Sequence, residues 1–448
     1  MKNRQDLTQG PVFATMSVFA LPMICGNILQ QAYNIVDTWV VGHMIGPDAL
    51  AAVGSAFALM TFLTSVLLGL CMGSGTVFSL CFGRRDAQGL ADSICASFFL
   101  LLTVVLALTA GSLLCVDGVV VWMQIPQEIQ AMTGGYLELI FWGIPAVALY
   151  NFFGAYLKSV GNSVVPLLFL GVSTAANIAL DLLFVAALRQ GTAGAAAATV
   201  ISQYLAGAGI GVYVLAARKE VREAFRPFRI RRAALVTIAN YSVLTCMQQS
   251  VMNLGILMVQ GLVNSFGTAV MAAFAAAVKI EAFAYMPAQE YANAFSTFFA
   301  QNRGAGQKQR VKKGIHCAVC TVLAYCLLAS ALIWLFAEPL MRIFVAQKET
   351  DILAQGVRYL RIVGPFYCGI GCLFLFYGLY RAAGKPGMSV VLTVISLGTR
   401  VILAYLLSSP AIMGAAGIWW AIPIGWGLAD LAGTVYYLRR REQVLLAA

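Results

Sequence analysis

Twelve apolar stretches follow one another along the chain, at approximately 12–44, 50–80, 91–115, 130–157, 164–188, 193–216, 234–263, 268–300, 313–337, 352–380, 387–408 and 412–438. Each exceeds the about 20 residues that a helix needs to cross a bilayer. Most are joined by short polar links, the pattern of a compact helical bundle. Stretches 2, 8 and 10 carry more polar residues than the others but remain long enough to span with tilt. The expected fold is therefore all-α and polytopic, with twelve transmembrane helices.

Composition agrees. The 448 residues are 60% hydrophobic and 10% charged, with mean hydropathy +0.83, whereas a soluble protein carries about 25% charged residues. A water-soluble fold is excluded. The first ten residues are polar, no small-residue cleavage site follows the first apolar run, and that run is too long for a signal-peptide core. The first segment is expected to stay in the protein. The net charge of +11 would suit nucleic acid, but its distribution fits membrane orientation instead. On one side of the twelve-segment scheme lie Lys2, Arg4, Arg84, Arg85, Lys158, seven basic residues in Arg218–Arg232, five in Arg303–Lys313, Arg381, Lys385 and Arg439–Arg441. These are 22 of the 29 basic residues, against three (Arg189, Arg342 and Lys348) on the other side. The asymmetry places both termini in the cytoplasm of a cell whose inner or plasma membrane holds the protein. The eleven cysteines are scattered through apolar runs and imply no disulfide framework. Cys317 and Cys320 have the spacing of a zinc or redox pair but lie in an apolar helix with no second pair.

The longest internal link is basic and divides the chain into an N-terminal lobe (1–216), a cytoplasmic linker (217–233) expected to touch anionic lipid, and a C-terminal lobe (234–448). The lobes repeat each other weakly. Gly46, Ala51, Ala52 and Gly83 recur as Gly267, Ala272, Ala273 and Gly304; Gly154 and Tyr156 recur as Gly378 and Tyr380; Gly194, Ala198 and Ile201 recur as Gly417, Ala421 and Ile424. Six segments per half make the repeats parallel, the plan of transporters that rock one half against the other.

Asp37 is a bare carboxylate near the far end of the first apolar run, and intramembrane carboxylates are costly enough to mark function by default. A second acid, Asp181, stands in the fifth run four residues after Asn177, so the two share a helix face. Thr199 lies in the sixth run beside Ala195–Ala198, whose small side chains let backbones approach. Asp37, Asn177, Asp181 and Thr199 together offer only oxygen ligands, suited to a hard cation such as Na⁺. They suit H⁺ equally, because two carboxylates in one desolvated pocket cannot easily both ionise. The alternative is that both acids cap or orient helices near an interface. At the repeat offsets the four positions become Met258, Arg400, Ala404 and Ile422, so the second lobe has no copy, which favours a coupling site over shared architecture. Elsewhere, Glu290 follows Pro287 at a depth where it would line a cleft or serve the structure. Glu281, Glu138 and Asp430 read as structural acids, with Arg358, Arg361 and Arg400 as partners for such acids. His43 and His316 read as interfacial.

These stretches resemble the multidrug and toxic-compound extrusion (MATE) family over nearly the whole chain. The resemblance rests on Ala20-Leu21-Pro22, Gln30 to Asp37, Val41-Gly42, Ala49 to Gly54, Asn177 to Phe184, Asn264 to Thr268 and Ala300 to Gly306. It implies two six-helix lobes around a V-shaped cleft and export of amphipathic, often cationic compounds against an H⁺ or Na⁺ gradient. In the DinF-like branch it implies a cation site at Asp37, Asn177, Asp181 and Thr199, with Tyr33 and Asn151 matching residues there and taken, with Glu290, as substrate-cleft residues, and Pro22 as the point where the first helix bends. NorM-like members carry acids in the seventh and tenth helices. Here the seventh has Gln248 and Gln249, and 362–380 holds no acid, so the DinF-like branch fits better.

The expected function is cation-coupled antiport of small amphipathic or cationic molecules by a monomer. No resident cofactor, no metal beyond Na⁺ at the four-residue cluster and no nucleic-acid partner enter this reading. A lipid-linked precursor flippase is the first alternative, though it would want basic residues at mid-depth in the first lobe, which has none. An integral-membrane enzyme is the second, though two remote histidines supply no catalytic cluster. A channel is disfavoured by the two-half repeat.

Overall fold

A computed structural model of the chain describes residues 6–123, 125–226, 230–345, 348–409 and 411–445; Lys2, Arg4 and Arg229 of the charge tally lie outside them. The fold is an all-α polytopic membrane fold. Twelve long helical segments follow in order: α1 (Val12–Met44), α2 (Pro47–Gly83), α3 (Ala87–Leu114), α4 (Gln127–Ser159), α5 (Val164–Ala187), α6 (Gly191–Ala217), α7 (Arg232–Asn264), α8 (Thr268–Gly304), α9 (Lys308–Leu335), α10 (Thr350–Ala382), α11 (Pro386–Leu407) and α12 (Ala415–Leu445). Among the described residues, the first eleven combine the length and apolarity needed to cross a membrane. The twelfth falls short because Trp419, Trp420, Trp426, Pro423 and Asp430 lower its mean hydropathy. It is nonetheless a core helix: Trp419 is fully buried, stacked on Phe274 and edge-on to Tyr359.

Repeated residues have repeated conformations. Gly46 and Gly267 open α2 and α8 with φ of 125° and 89°, a region that an L side chain adopts only with strain. The fourth segment of each half is also interrupted. α4 breaks at Trp142–Gly143, ahead of Pro145, and α10 passes through a 3₁₀ turn at Gly364–Phe366 containing Pro365. Proline is tolerated at both places because it falls in the first turn of a new helical stretch, where its missing N–H costs nothing.

By internal packing the described residues form two units, one of residue 6 with those in 25–246 and one of residues 7–24 with those in 247–445. Two helices therefore belong to both. α1 contributes Val12 to Ile24 to the second unit and Cys25 to Met44 to the first, and α7 changes unit after Cys246.

In the first unit α2 packs on α3 and α4, while α4 and α5 both pack on α6. Phe78, Phe98, Phe152, Phe153 and Phe225 meet edge to face in its core. Phe225 follows a short helix, Lys219–Ala224, whose Val221 and Ala224 are buried and whose Ala224 carbonyl accepts from Cys95 Sγ. The charged linker is thereby docked on α3, and Arg231 adds an ion pair to Asp92 at 3.1 Å. In the second unit α8 packs on α9 and α10, and α11 on α12.

In the first unit α2 closely approaches the first half of α7. A Cβ at Gly69 would stand 2.5 Å from Cys246 Cα, and one at Gly73 2.5 Å from Ser242 Cα. The small-xxx-small spacing removes the side chains that would hold these helices apart. Serines then fill the seam: Ser242 Oγ meets Ser74 Oγ at 2.9 Å and donates to the Leu70 carbonyl, and Ser97 Oγ donates to Ser74 Oγ. Gly73→Ala must push two backbones apart and is expected to cost about 1–3 kcal/mol. Gly154→Ala, with no atom within 4 Å of the new methyl group, should be neutral or stabilising by up to about 1 kcal/mol. Thermal unfolding of the two purified variants in one detergent distinguishes these outcomes.

Candidate cation site

α5 is a regular α-helix over Val164–Asp181, so Asn177 and Asp181 stack on one face. Both are buried, Asp181 completely. α6 comes close because Gly194, Ala195, Ala196 and Ala198 line its buried face, and this brings Thr199 to the pair. Asn177 Nδ2 donates to Thr199 Oγ1 at 3.5 Å, and the same hydroxyl meets the Tyr33 hydroxyl from α1 at 3.4 Å. Both distances are at the long end for hydrogen bonds. Asp37, one turn after Tyr33, lies within electrostatic reach of Asp181, and Tyr33 within reach of both acids. Tyr33, Asp37, Asn177, Asp181 and Thr199 thus gather in one place within the first unit.

Acceptors outnumber donors in this pocket. Asn177 Oδ1, Asp181 Oδ1 and Asp181 Oδ2 are buried with no hydrogen-bond partner among the described residues. Neither carboxylate has an ion-pair partner among them either. Each buried acceptor left unpaired costs about 1–3 kcal/mol, a cost that a proton or a hard cation held by these oxygens would remove. Among the described residues no group of three or more His, Cys, Asp or Glu side chains is placed to hold a metal ion. Any cation here would be bound by carboxylate, amide and hydroxyl oxygens together.

Two features of the pocket escaped the sequence reading. Directly after Asp181, α5 widens into a π-helical turn, Leu182–Ala187, where Leu188 N–H reaches back to Leu183 O. Such turns are rare and frequent at functional sites; no residue pattern in Leu182–Ala187 announces this one. The second is Tyr136 of α4, buried and within electrostatic reach of Asp37, Asp181 and Tyr33. A signal for it existed: at the repeat offset of 223 that relates Gly194 to Gly417, Tyr136-Leu137 maps onto Tyr359-Leu360.

The remaining candidates are placed otherwise. Asn151 donates its amide N–H to the Val147 carbonyl of its own helix at 2.8 Å and makes no hydrogen bond to the cluster among the described residues. Pro22 stands inside α1, two residues before the helix passes between units. Glu290 lies in the second unit, where Asn293 bridges it to Arg381 with bonds of 3.4 and 3.2 Å. His43 stacks on Trp39 and bonds its carbonyl, a structural position.

The second unit has a counterpart of opposite character. Glu281 is buried, accepts a hydrogen bond from the Tyr359 hydroxyl, and has the Arg400 guanidinium within electrostatic reach. Tyr359 and Arg400 are the repeat equivalents of Tyr136 and Asn177. Among the described residues, one pocket therefore holds two acids without an ion-pair partner, and the other an acid with an arginine within electrostatic reach. Of the further acids, Asp430 has a buried Oδ1 with no partner among the described residues.

A family model described as MatE matches residues 22–183 and 243–406, more than half of the chain. Among curated proteins the chain is 29% identical to the probable multidrug resistance protein YpnP of Bacillus subtilis, over 96% of each chain. It is 27% identical to the probable multidrug resistance protein YoeA of the same organism, over 97% of this chain and 95% of the other. Among solved structures, a MOP superfamily transporter from Pyrococcus furiosus has the same fold with a TM-score of 0.92 at 23% identity, over 99% of each chain.

The surplus of acceptors makes a stability prediction. Asp181→Leu replaces two unpartnered oxygens by apolar atoms of similar volume, a change expected to be neutral or stabilising by about 1–4 kcal/mol. A lower unfolding temperature would mean that Asp181 has partners that this geometry lacks.

Proposed function

This chain belongs to the MatE family, and on that premise we propose that it is a cation-coupled antiporter that exports amphipathic, often cationic compounds by alternating access. The observation that carries the proposal is the acceptor surplus at Asn177 and Asp181, with a second acid, Asp37, within electrostatic reach. An apolar protein interior tolerates such a group only if something outside the chain completes it. H⁺ or Na⁺ is the coupling ion in this reading. Asp37 and Asp181 take it up, and Asn177 and Thr199 complete the oxygen shell.

Uptake removes negative charge from the pocket and so weakens its attraction for a cationic cargo. Because α1 carries Asp37 in one unit and begins in the other, a change of charge at Asp37 acts on the helix that both units share. Pro22, which lacks a backbone donor, is the place where that helix bends most easily. Ion and cargo then compete thermodynamically by preferring different states of one element. The compensated Glu281–Arg400 pair needs no external cation, which supports placing the coupling site in the N-terminal lobe and the protein in the DinF-like branch. The lobes 1–216 and 234–448 are the rocking parts in this reading, with α1 before Cys25 grouped with the second unit and α7 up to Cys246 with the first. The protein works as a monomer in the inner or plasma membrane, with both termini and the 217–233 linker in the cytoplasm.

Asp37→Asn keeps the side-chain volume and removes the ionisable group. Purified variant in proteoliposomes, with a pH or a Na⁺ gradient imposed separately, is expected to export a fluorescent cationic substrate no faster than protein-free vesicles. Wild type should respond to one of the two gradients. Export by the variant at the wild-type rate would end the proposal.

A further inference from the structure

At the end of the second unit where α1 and α9 begin, the surface opens into a cleft of about 1120 Å³. One wall is the start of α1, Gly10 to Phe13; the other is the first two turns of α9. Lys308, Lys312 and His316 project from one face of that helix, at i, i+4 and i+8, with Lys313 alongside. All four are exposed, the lysines form no ion pair with any described residue, and no acidic residue lines the cleft. α9 also has no acid in its first turn, so among the described residues no acid of that turn or of the cleft lining balances the lysines at the positive end of the helix dipole.

The arginine of the lining, Arg310, is already committed. Its guanidinium donates to the carbonyls of Leu7, Gln9 and Gly10 at 2.5–3.4 Å and lies over the Phe298 ring. Asn302 Nδ2 adds a bond of 3.1 Å to the Leu7 carbonyl. These bonds fix the wall formed by Gly10–Phe13 against α9, so the cleft is a built feature of the fold.

We infer that this cleft binds the phosphate-bearing headgroup of an anionic phospholipid. The charge selects an anion, and the shape of the lining selects a lipid over a free phosphate. Towards the apolar length of α9 the lining changes from lysine to Cys317, Val12 and Phe13, and the Phe13 side chain is 59% exposed. A headgroup phosphate among Lys308, Lys312 and Lys313, with its glycerol and first acyl carbons against Phe13, satisfies both ends. The volume exceeds the about 300–1,000 Å³ of small-molecule pockets, room enough for that amphipathic fragment. A lipid seated there rests on the segment that Arg310 ties down, and so steadies the start of α1. The inference is independent of cargo and coupling ion.

The test uses the full-length protein purified in a neutral detergent and compares added phosphatidylglycerol, phosphatidylcholine and inorganic phosphate. Binding is read by native mass spectrometry, and protection of backbone amides in residues 12–16 by hydrogen exchange. Wild type should retain phosphatidylglycerol over phosphatidylcholine and show slower exchange in 12–16 when it is bound. The triple variant Lys308→Gln/Lys312→Gln/Lys313→Gln should bind phosphatidylglycerol about a hundredfold more weakly, from about fivefold per lysine, and lose that protection. The control Arg439→Gln/Arg440→Gln/Arg441→Gln removes equal charge elsewhere and should leave both readouts unchanged. Three results would overturn the inference: unchanged binding by the triple lysine variant, an equal loss in the arginine control, or equal protection by inorganic phosphate at the same phosphate concentration.

Discussion

Two carboxylates, Asp37 from α1 and Asp181 from α5, share a desolvated region of the first unit with no ion-pair partner among the described residues. Membrane-embedded protein offers neither the dielectric nor the water that would make this cheap. Around them the local structure supplies acceptors: the Asn177 amide oxygen has no donor among the described residues, and the Thr199 hydroxyl is already shared between Asn177 and Tyr33. Close packing of α5 on the glycine- and alanine-lined face of α6 holds these groups together, and the π-helical turn after Asp181 ends the regular helix at the acid itself.

The repeat makes the imbalance informative. Both units bury a tyrosine of the fourth repeat helix near a carboxylate, Tyr136 in one and Tyr359 in the other. In the second unit Arg400 occupies the position equivalent to Asn177, so Glu281 has a counter-charge within the chain. One framework thus carries an acid with an arginine within electrostatic reach on one side and an open set of oxygens on the other. The open set is the one reached by α1, the helix whose start Arg310 and Asn302 anchor in the second unit and whose later half belongs to the first. A charge change at Asp37 therefore acts on a segment tied at its other end.

Much of this was legible in the sequence. Hydropathy gave the spans, because a bilayer imposes a length that few other structures share. The four-residue spacing of Asn177 and Asp181 gave their common face, and the repeat paired Gly46 with Gly267, whose positive φ only the structure shows. What was not legible depends on three-dimensional register. The π-turn after Asp181 has an unremarkable Leu-Leu-Phe-Val sequence. Tyr136 becomes part of the pocket only once α4 is set against α1 and α5. The hydrogen bond from Tyr359 to Glu281 joins residues 78 apart, and the grip of Arg310 on Leu7 joins residues 303 apart. In a chain this apolar, Tyr136 and Tyr359 beside the acids and Arg310 on the carbonyls were the unread polar partners, whereas Arg400 was already legible as a partner for a buried acid.

The most direct measurement of the central claim is a double-mutant cycle on thermodynamic stability with Asp37→Asn, Asp181→Asn and the double variant, at one pH and in one detergent. If the two acids share a pocket, the first replacement relieves most of their conflict. The double variant should then differ from the sum of the single effects by about 0.5–3 kcal/mol, the range for groups in direct interaction. Additivity within about 0.3–0.5 kcal/mol, as for sites that do not interact, would contradict the account.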